Sequence, residues 1–508
     1  MNKVKRNLLV VLAGLGFALV GSHGYAGEFL VKYKNVEGMR TVQQMASFSA
    51  NSMAVMYKHT PGNYMLVDLD KSNEAVTLAK LSADQNVEWV VPNFQLYALG
   101  NTEVTPAQLK DQWAIVKVQA QKAWDRASNK GRKGVVIAVI DTGVDYNHKS
   151  LAPNMVPGYD FKGNDSDPMD ETGSQNPGHG THCAGIAAAT GLIDGGIIGI
   201  GPEISIMPLR FLGSDGSGDL NSAIRSIDYA IEKRVNVISA SWGAAVPRSQ
   251  ATALIEAIQR ADNAGVIFVA AAANDGKSND TVDMFPANAG TPNMISVAAS
   301  GSSDSKPSWS NYGKATVHLA APGENIMSTL PKDQYGNLSG TSMATPLVSG
   351  LVAFLKSQDS SLTGAQIRAL LQTSGAKVSI ETACNCRVDA FTAVDHFLSK
   401  KMWLVPAANS VAENSSFSVS VMNGKAPFKF ASSNPAILTV NDSGAVSTVA
   451  KGTATITVTD ADGASVTSLD YNVGLSSDNG GGGGDCPLGD PMLCQIACQI
   501  LPQLPFCN

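Results

Sequence analysis

The run Val135-Val-Ile-Ala-Val-Ile-Asp-Thr-Gly-Val144 reads as one buried strand that ends in an acid and turns at once on a glycine. Its apolar residues are continuous rather than alternating, which suits a strand covered on both faces of a parallel sheet. Working outward, similar runs recur at Ile204–Pro208, Val235–Ala240, Val266–Ala271 and Met294–Ala298. Helix-like stretches lie between them, over Asn221–Lys233 and Gln250–Ala264. This alternation, from about Gln112 to Leu398, predicts an α/β domain with a mostly parallel central sheet flanked by helices. In such sheets functional residues gather at the carboxyl ends of strands, which makes Asp141 a candidate. Alone that signal is weak, because many buried strands end in Asp.

The flanks read differently. Residues 27–100 carry short alternating runs and two helix candidates, Thr41–Phe48 and Asn73–Leu81, in the order β-α-β-β-α-β. That is the split ferredoxin-like α+β pattern. Residues 403–475 are rich in Ser, Thr, Val and Asn, with runs such as Phe417-Ser-Val-Ser-Val421, and predict a small β-sandwich. Residues 476–485 form a Gly-rich linker, and the tail 486–508 is too short for a core of its own.

A chain of 508 residues fits several domains. The net charge of -6 comes with no basic run, so nothing points to nucleic acid. Lys3, Lys5 and Arg6 precede the apolar stretch Leu8–Val20, and Gly24-Tyr25-Ala26 follows. This is the pattern of a secretory signal peptide over 1–26, cut after Ala26. The apolar run is short for a bilayer span, so a secreted protein without a stable membrane anchor is expected. Of the 7 cysteines, Cys486, Cys494, Cys498 and Cys507 cluster in the tail and suggest two bridges there. Cys384 and Cys386 can bridge to each other, which leaves Cys183 as the odd thiol.

Three more segments carry chemistry. Gly178-His-Gly-Thr-His-Cys-Ala-Gly185 places His179 and His182 among small residues suited to a tightly packed helix. A metal pair would need a third ligand and a general-base Glu, and the segment offers neither. Ser339-Gly-Thr-Ser-Met-Ala-Thr-Pro346 puts Ser342 at or just before a helix start, because Pro346 is tolerated only near one. By itself Ser342 could be an ordinary N-cap. Val269-Ala-Ala-Ala-Ala-Asn-Asp-Gly276 is a buried strand ending in Asn274, whose amide can donate to an oxyanion. Together they form a set. A serine hydroxyl is a poor nucleophile until a base such as His179 takes its proton, and an acid such as Asp141 orients the imidazole and stabilises its charged form.

These segments, in the order Asp141, His179, Ser342, resemble the subtilisin-like serine proteases over about Gln112 to Val394. The resemblance implies a catalytic domain over 101–400 in which Asp141 orients, His179 is general base and acid, Ser342 is the nucleophile, and Asn274 with the Ser342 N–H forms the oxyanion hole. It implies that Ser241-Trp242-Gly243 and Gly216-Ser217-Gly218 are the strands that hold an extended substrate. Ala273 stands where the family usually has Gly, which narrows the pocket floor. Asp160, Asp165 and Asp167 resemble a calcium loop of thermitase-like members. A second calcium site is not expected, since Ser150 stands where the family has an acid. No cofactor is implied for catalysis. Cys183 matches a buried thiol of some members, with packing as its role.

Residues 27–100 resemble the family's inhibitory propeptide, a folding aid whose end occupies the active site until self-cleavage, expected here between about Gln95 and Thr105. Residues 403–475 resemble bacterial Ig-like repeats. The implied activity is a secreted serine endopeptidase acting on proteins, made as an autoprocessed zymogen and monomeric. An inactive binding protein or adhesin on the same scaffold is the competing class, and an esterase with the same triad is a third. An inactive scaffold would usually have lost a triad residue.

Overall fold

A computed structural model of the chain describes residues 27–35, 53–59, 61–101, 112–193 and 196–474. The proposed signal peptide, the helix expected over Thr41–Phe48, the linker and the cysteine-bearing tail lie outside these residues.

The N-terminal unit holds β1 (Glu28–Tyr33), β2 (Met53–His59), β3 (Tyr64–Leu69), α1 (Glu74–Ala83) and β4 (Val87–Pro92). Its sheet is antiparallel in the order β2-β3-β1-β4. Alternation sorts β1: Val31 and Tyr33 pack with Leu78 and Leu81 of α1, while Leu30 faces the larger body of the protein. A short strand, β5 (Gln95–Ala98), follows and leaves this sheet.

The central sheet contains β6 (Val136–Asp141), β7 (Tyr159–Asp160), β8 (Ser205–Arg210), β10 (Val237–Ala240), β12 (Ile267–Ala271), β13 (Met294–Ser300) and β14 (Leu319–Pro322). The short strands β9 (Ser217–Asp219) and β11 (Trp242–Gly243) lie outside it. Its order from one edge is β7-β8-β6-β10-β12-β13-β14, then the two-residue strands Cys386–Arg387 and Ala376–Lys377. Every pairing is parallel except the last. The apolar run of β6 is explained by its two coats. Ile137 and Val139 pack toward α2 (His179–Ala188) and α5 (Thr341–Gln358), and Ala138 and Ile140 toward α3 (Leu220–Glu232) and α4 (Thr252–Asn263). Strand and helix positions follow the sequence expectation to within a few residues at each end.

The N-terminal unit docks on α3 and α4. Asn93 Oδ1 and the Phe94 carbonyl accept the N–H groups of Asn221 and Leu220 at 3.0 Å each, satisfying free donors at the start of α3. Glu256 of α4 accepts from Lys32 Nζ at 2.8 Å and Trp89 Nε1 at 2.9 Å. His59 pairs with Asp228, which also receives Arg260. Residues beyond Trp403 form short, mostly antiparallel strands around Leu404, Val419, Leu438, Ile456, Val458 and Tyr471. Trp403 joins this part to the α/β body, packing on His396 with ring centroids 5.8 Å apart.

Candidate active site

Four elements bring the chemistry to one end of the sheet. Asp141 ends β6, His179 opens α2, Asn274 follows β12, and Ser342 is the second residue of α5. Gly340, not Ser342, caps α5, and it makes no side-chain cap bond. The N-cap reading of Ser342 is therefore set aside, and its hydroxyl is free for other work.

The imidazole Nδ1 of His179 lies 2.7 Å from Asp141 Oδ1, and both side chains are buried. Burial works against the imidazolium, but Asp141 and, after it, Cys183 together outweigh it and hold the His179 pKa well above 6.5. Ser342 Oγ donates to the Ser241 carbonyl at 3.0 Å. Pro346 sits inside α5 and has no N–H for the carbonyl of Ser342, four residues back. That carbonyl instead accepts from Ser241 Oγ at 2.9 Å and Cys183 Sγ at 3.4 Å. The proline thus leaves an acceptor that two neighbours satisfy, and the turn bearing Ser342 is held from both sides.

A piece of the chain itself lies in the site. β5 runs antiparallel between β9 and β11, with Leu96 opposite Gly218, Tyr97 opposite Ser217 and Gly243, and Ala98 opposite Trp242. Ala98 N–H donates to Gly216 O and Leu99 N–H to Ser241 O, each at 3.0 Å. The Leu99 carbonyl then accepts from Asn274 Nδ2 at 2.6 Å and from the Ser342 N–H at 3.3 Å. Asn274 is aimed by Thr341, whose N–H and Oγ1 donate to its Oδ1 at 2.9 and 3.0 Å. The Leu99 side chain packs with Ala273, Met284 and Ala287. Two glycines permit the approach. A Cβ on Gly340 would lie 2.6 Å from the Leu99 oxygen, and one on Gly100 would lie 2.9 Å from His179 Nε2.

Residues 132–385 match the model of the subtilase family. The chain belongs to the subtilase family. It is 42% identical to thermitase of Thermoactinomyces vulgaris over 287 residues, covering 56% of this chain and 96% of that protein. It is 39% identical over 306 residues to a thermophilic serine proteinase of Bacillus sp. (strain AK1), covering 60% of this chain and 71% of that protein. It is 37% identical over 242 residues to subtilisin E of Bacillus subtilis (strain 168), covering 47% of this chain and 60% of that protein. Residues 420–462 match a model described as an intimin immunoglobulin-like domain. This subtilase is a serine endopeptidase, and proteins are its class of substrate.

Other candidates of the sequence are placed as follows. His182 lies on the same helix but donates to or accepts from no metal-like set; its Nε2 meets the Gly336 carbonyl at 3.1 Å, and burial pushes its pKa down to about 3. Burial raises the thiol pKa of Cys183, the residue whose Sγ meets the Ser342 carbonyl. Cys384 and Cys386 are joined in a disulfide.

The aspartates of the expected calcium loop share one turn, where an arginine and backbone N–H groups meet some of their oxygens. Asp160 Oδ2 meets the Arg210 guanidinium at 2.9 Å, and its Oδ1 accepts from the N–H groups of Lys162 and Gly163. Asp165 Oδ1 accepts from the Asp167 N–H, and Asp167 Oδ1 from Tyr146 Oη. Among the described residues the ligand-type atoms that converge are those of Asp141, His179 and Cys183, and not this trio.

Leu99, Gly100 and Met284 belong to the site without any motif of their own, and Thr341 lies inside the Ser342 motif without a role read from it. Only the general expectation of a cut near residue 100 pointed to the first two.

Proposed function

We propose that this subtilase is a secreted endopeptidase, made as a zymogen, in which Ser342, His179 and Asp141 form the triad and the Leu99–Gly100 bond is its first substrate. The observation that carries the reading is the Leu99 carbonyl between the Asn274 amide and the Ser342 N–H. Those are the donors an oxyanion needs, and they surround a carbonyl of the chain itself.

The steps follow from that geometry. Ser342 Oγ turns from the Ser241 carbonyl and attacks the Leu99 carbonyl carbon, and its proton passes to His179 Nε2. The carbonyl oxygen becomes an oxyanion held by Asn274 and the Ser342 N–H. Asp141 holds the imidazole by Nδ1 and stabilises its cation. His179 returns the proton to the Gly100 nitrogen, and the peptide bond breaks. Water then repeats the sequence on the acyl-enzyme, releasing the Leu99 carboxylate and restoring Ser342. Apart from that water, the steps use groups of this chain.

In this reading residues 1–26 direct export and are removed, and residues 27–99 inhibit by leaving β5 between β9 and β11 after the cut. Gly216, Ser217, Gly218, Ser241, Trp242 and Gly243 then receive other extended peptides by main-chain pairing, which gives affinity with little demand on sequence. Ala273 and Met284 shape the pocket for the residue before the cut. Residues 403–475 serve as an Ig-like spacer or surface-binding module, linked through 476–485 to a tail braced by its own disulfides, and the enzyme works as a monomer.

The test is a peptide ending the Leu96–Leu99 sequence in a chromogenic amide, with diisopropyl fluorophosphate as the active-site probe. Release of the amine, and its loss in step with labelling of Ser342, supports the reading. Hydrolysis that survives full labelling, or a label on another residue, overturns it.

A further inference from the structure

Asp170 lies outside the four motifs and touches no part of the Leu96–Gly100 segment in any contact of the site. Its side chain is buried, 5% exposed, and forms no ion pair among the described residues. All of its acceptor positions are filled from within. Oδ1 accepts from Thr142 Oγ1 and Asn176 Nδ2 at 2.9 Å each, and Oδ2 from the Thr181 N–H at 2.9 Å and Thr181 Oγ1 at 2.7 Å.

The donors are informative by position. Thr142 directly follows Asp141, while Asn176 and Thr181 bracket His179. The bonds continue outward from each. Thr142 Oγ1 accepts from the Gly180 N–H at 2.9 Å, and Asn176 Oδ1 accepts from the N–H groups of Gly178 and His179 at 3.0 and 2.8 Å. Thr181 Oγ1 accepts from the Asp145 N–H at 2.9 Å. One carboxylate therefore joins the end of β6 to the start of α2, the two segments whose spacing sets the Asp141–His179 bond.

We propose that Asp170 is a positioning residue for peptide hydrolysis, locking the Asp141 turn to the first turn of α2 so that the imidazole stays aligned on Ser342. This rests on the triad reading above. Four donors converge on one side chain, and a carboxylate in its ionised form is the side chain that accepts all four. Burial pushes its pKa up to about 6 against the lowering by these hydrogen bonds, so at neutral and alkaline pH it is that acceptor. An amide of the same shape turns two acceptor positions into donors, so at least one pair of bonds becomes donor against donor. The imidazole is then free to shift, and a misplacement of about 1 Å costs on the order of 10² in rate.

The test uses the full chain as secreted, with Asp170→Asn, Thr142→Val and Thr142→Ser beside wild type. Variants that process slowly are matured with a trace of wild-type enzyme. Active sites are counted by the final extent of diisopropyl fluorophosphate labelling on Ser342, and kcat and KM are measured per labelled site. For Asp170→Asn, kcat and the labelling rate fall by roughly 10- to 100-fold, with KM within about twofold. Thr142→Val falls in the same direction, and Thr142→Ser, which keeps the hydroxyl, recovers most of the rate. Full kcat per labelled site in Asp170→Asn overturns the proposal, because the loss would then lie in the amount of folded enzyme. Should Asp170→Asn not fold, equal kcat in Thr142→Val and Thr142→Ser overturns it. Absence of label on wild-type Ser342 would instead overturn the triad reading, and the proposal with it.

Discussion

The Leu99 carbonyl oxygen lies 2.6 Å from Nδ2 of Asn274, and the same oxygen receives the backbone N–H of Ser342 at 3.3 Å. A ground-state carbonyl already sits where negative charge would develop. Asn274→Ala removes one of two donors while leaving Thr341 to solvate itself. Its kcat on a peptide amide should fall about 10²- to 10³-fold, the loss found for the matching donor in subtilisin, with KM little changed. Steady-state kinetics per active site measures it, and a loss below tenfold would place the oxyanion elsewhere.

Gly100 has no room for a side chain, because a Cβ would approach His179 Cδ2 to 2.8 Å and Nε2 to 2.9 Å. Gly100→Val should slow self-processing strongly without reducing activity of enzyme matured in trans. A time course of precursor and mature masses tests this. Processing at the wild-type rate and site would show that the bond does not pass through the observed arrangement.

The pH dependence follows from Asp141. His179 must be neutral to accept the Ser342 proton, and Asp141 stabilises its cation, so activity is lost as pH falls through a raised His179 pKa. The acid limb of kcat/KM should lie above the ordinary histidine value of about 6.5. Asp141→Asn should move that limb to lower pH and cut kcat by about 10⁴-fold. An unmoved limb would assign it to another group.

Leu99 packs with Ala273, Met284 and Ala287, so the pocket fits a medium aliphatic side chain. Ala273 holds φ at 92°, a conformation suited to glycine. Its methyl and Met284 together limit depth. Ala273→Gly combined with Met284→Gly should raise the preference for Phe over Leu before the cut by roughly 10- to 200-fold. Paired chromogenic peptides read the ratio, and an unchanged ratio would mean that other residues set the pocket.

Much of this was legible in the chain. Buried strands of unbroken Val, Ile and Ala showed the parallel sheet, because both faces of β6 are coated by helices. Asp141, His179, Asn274 and Ser342 were legible because each sits at an element end marked by glycine or proline. Arg210 was hidden, since the sequence shows acids in a turn but not that an arginine fifty residues from Asp160 will pair with it. Asp170 was equally hidden. Its partners Thr142, Asn176 and Thr181 are ordinary turn and helix residues until the fold brings them to one carboxylate. Pro346 conveyed only half its meaning: it marks the start of α5, but the carbonyl it leaves to Ser241 and Cys183 is visible only in three dimensions.

The most direct test of the central claim compares the secreted protein with its Ser342→Ala variant by intact mass and by digestion of casein. Wild type should yield a chain beginning at Gly100 and degrade casein, while the variant keeps residues 27–99 attached and leaves casein intact. Equal processing and equal casein digestion by the two would contradict the account, because Ser342 would then not be the nucleophile.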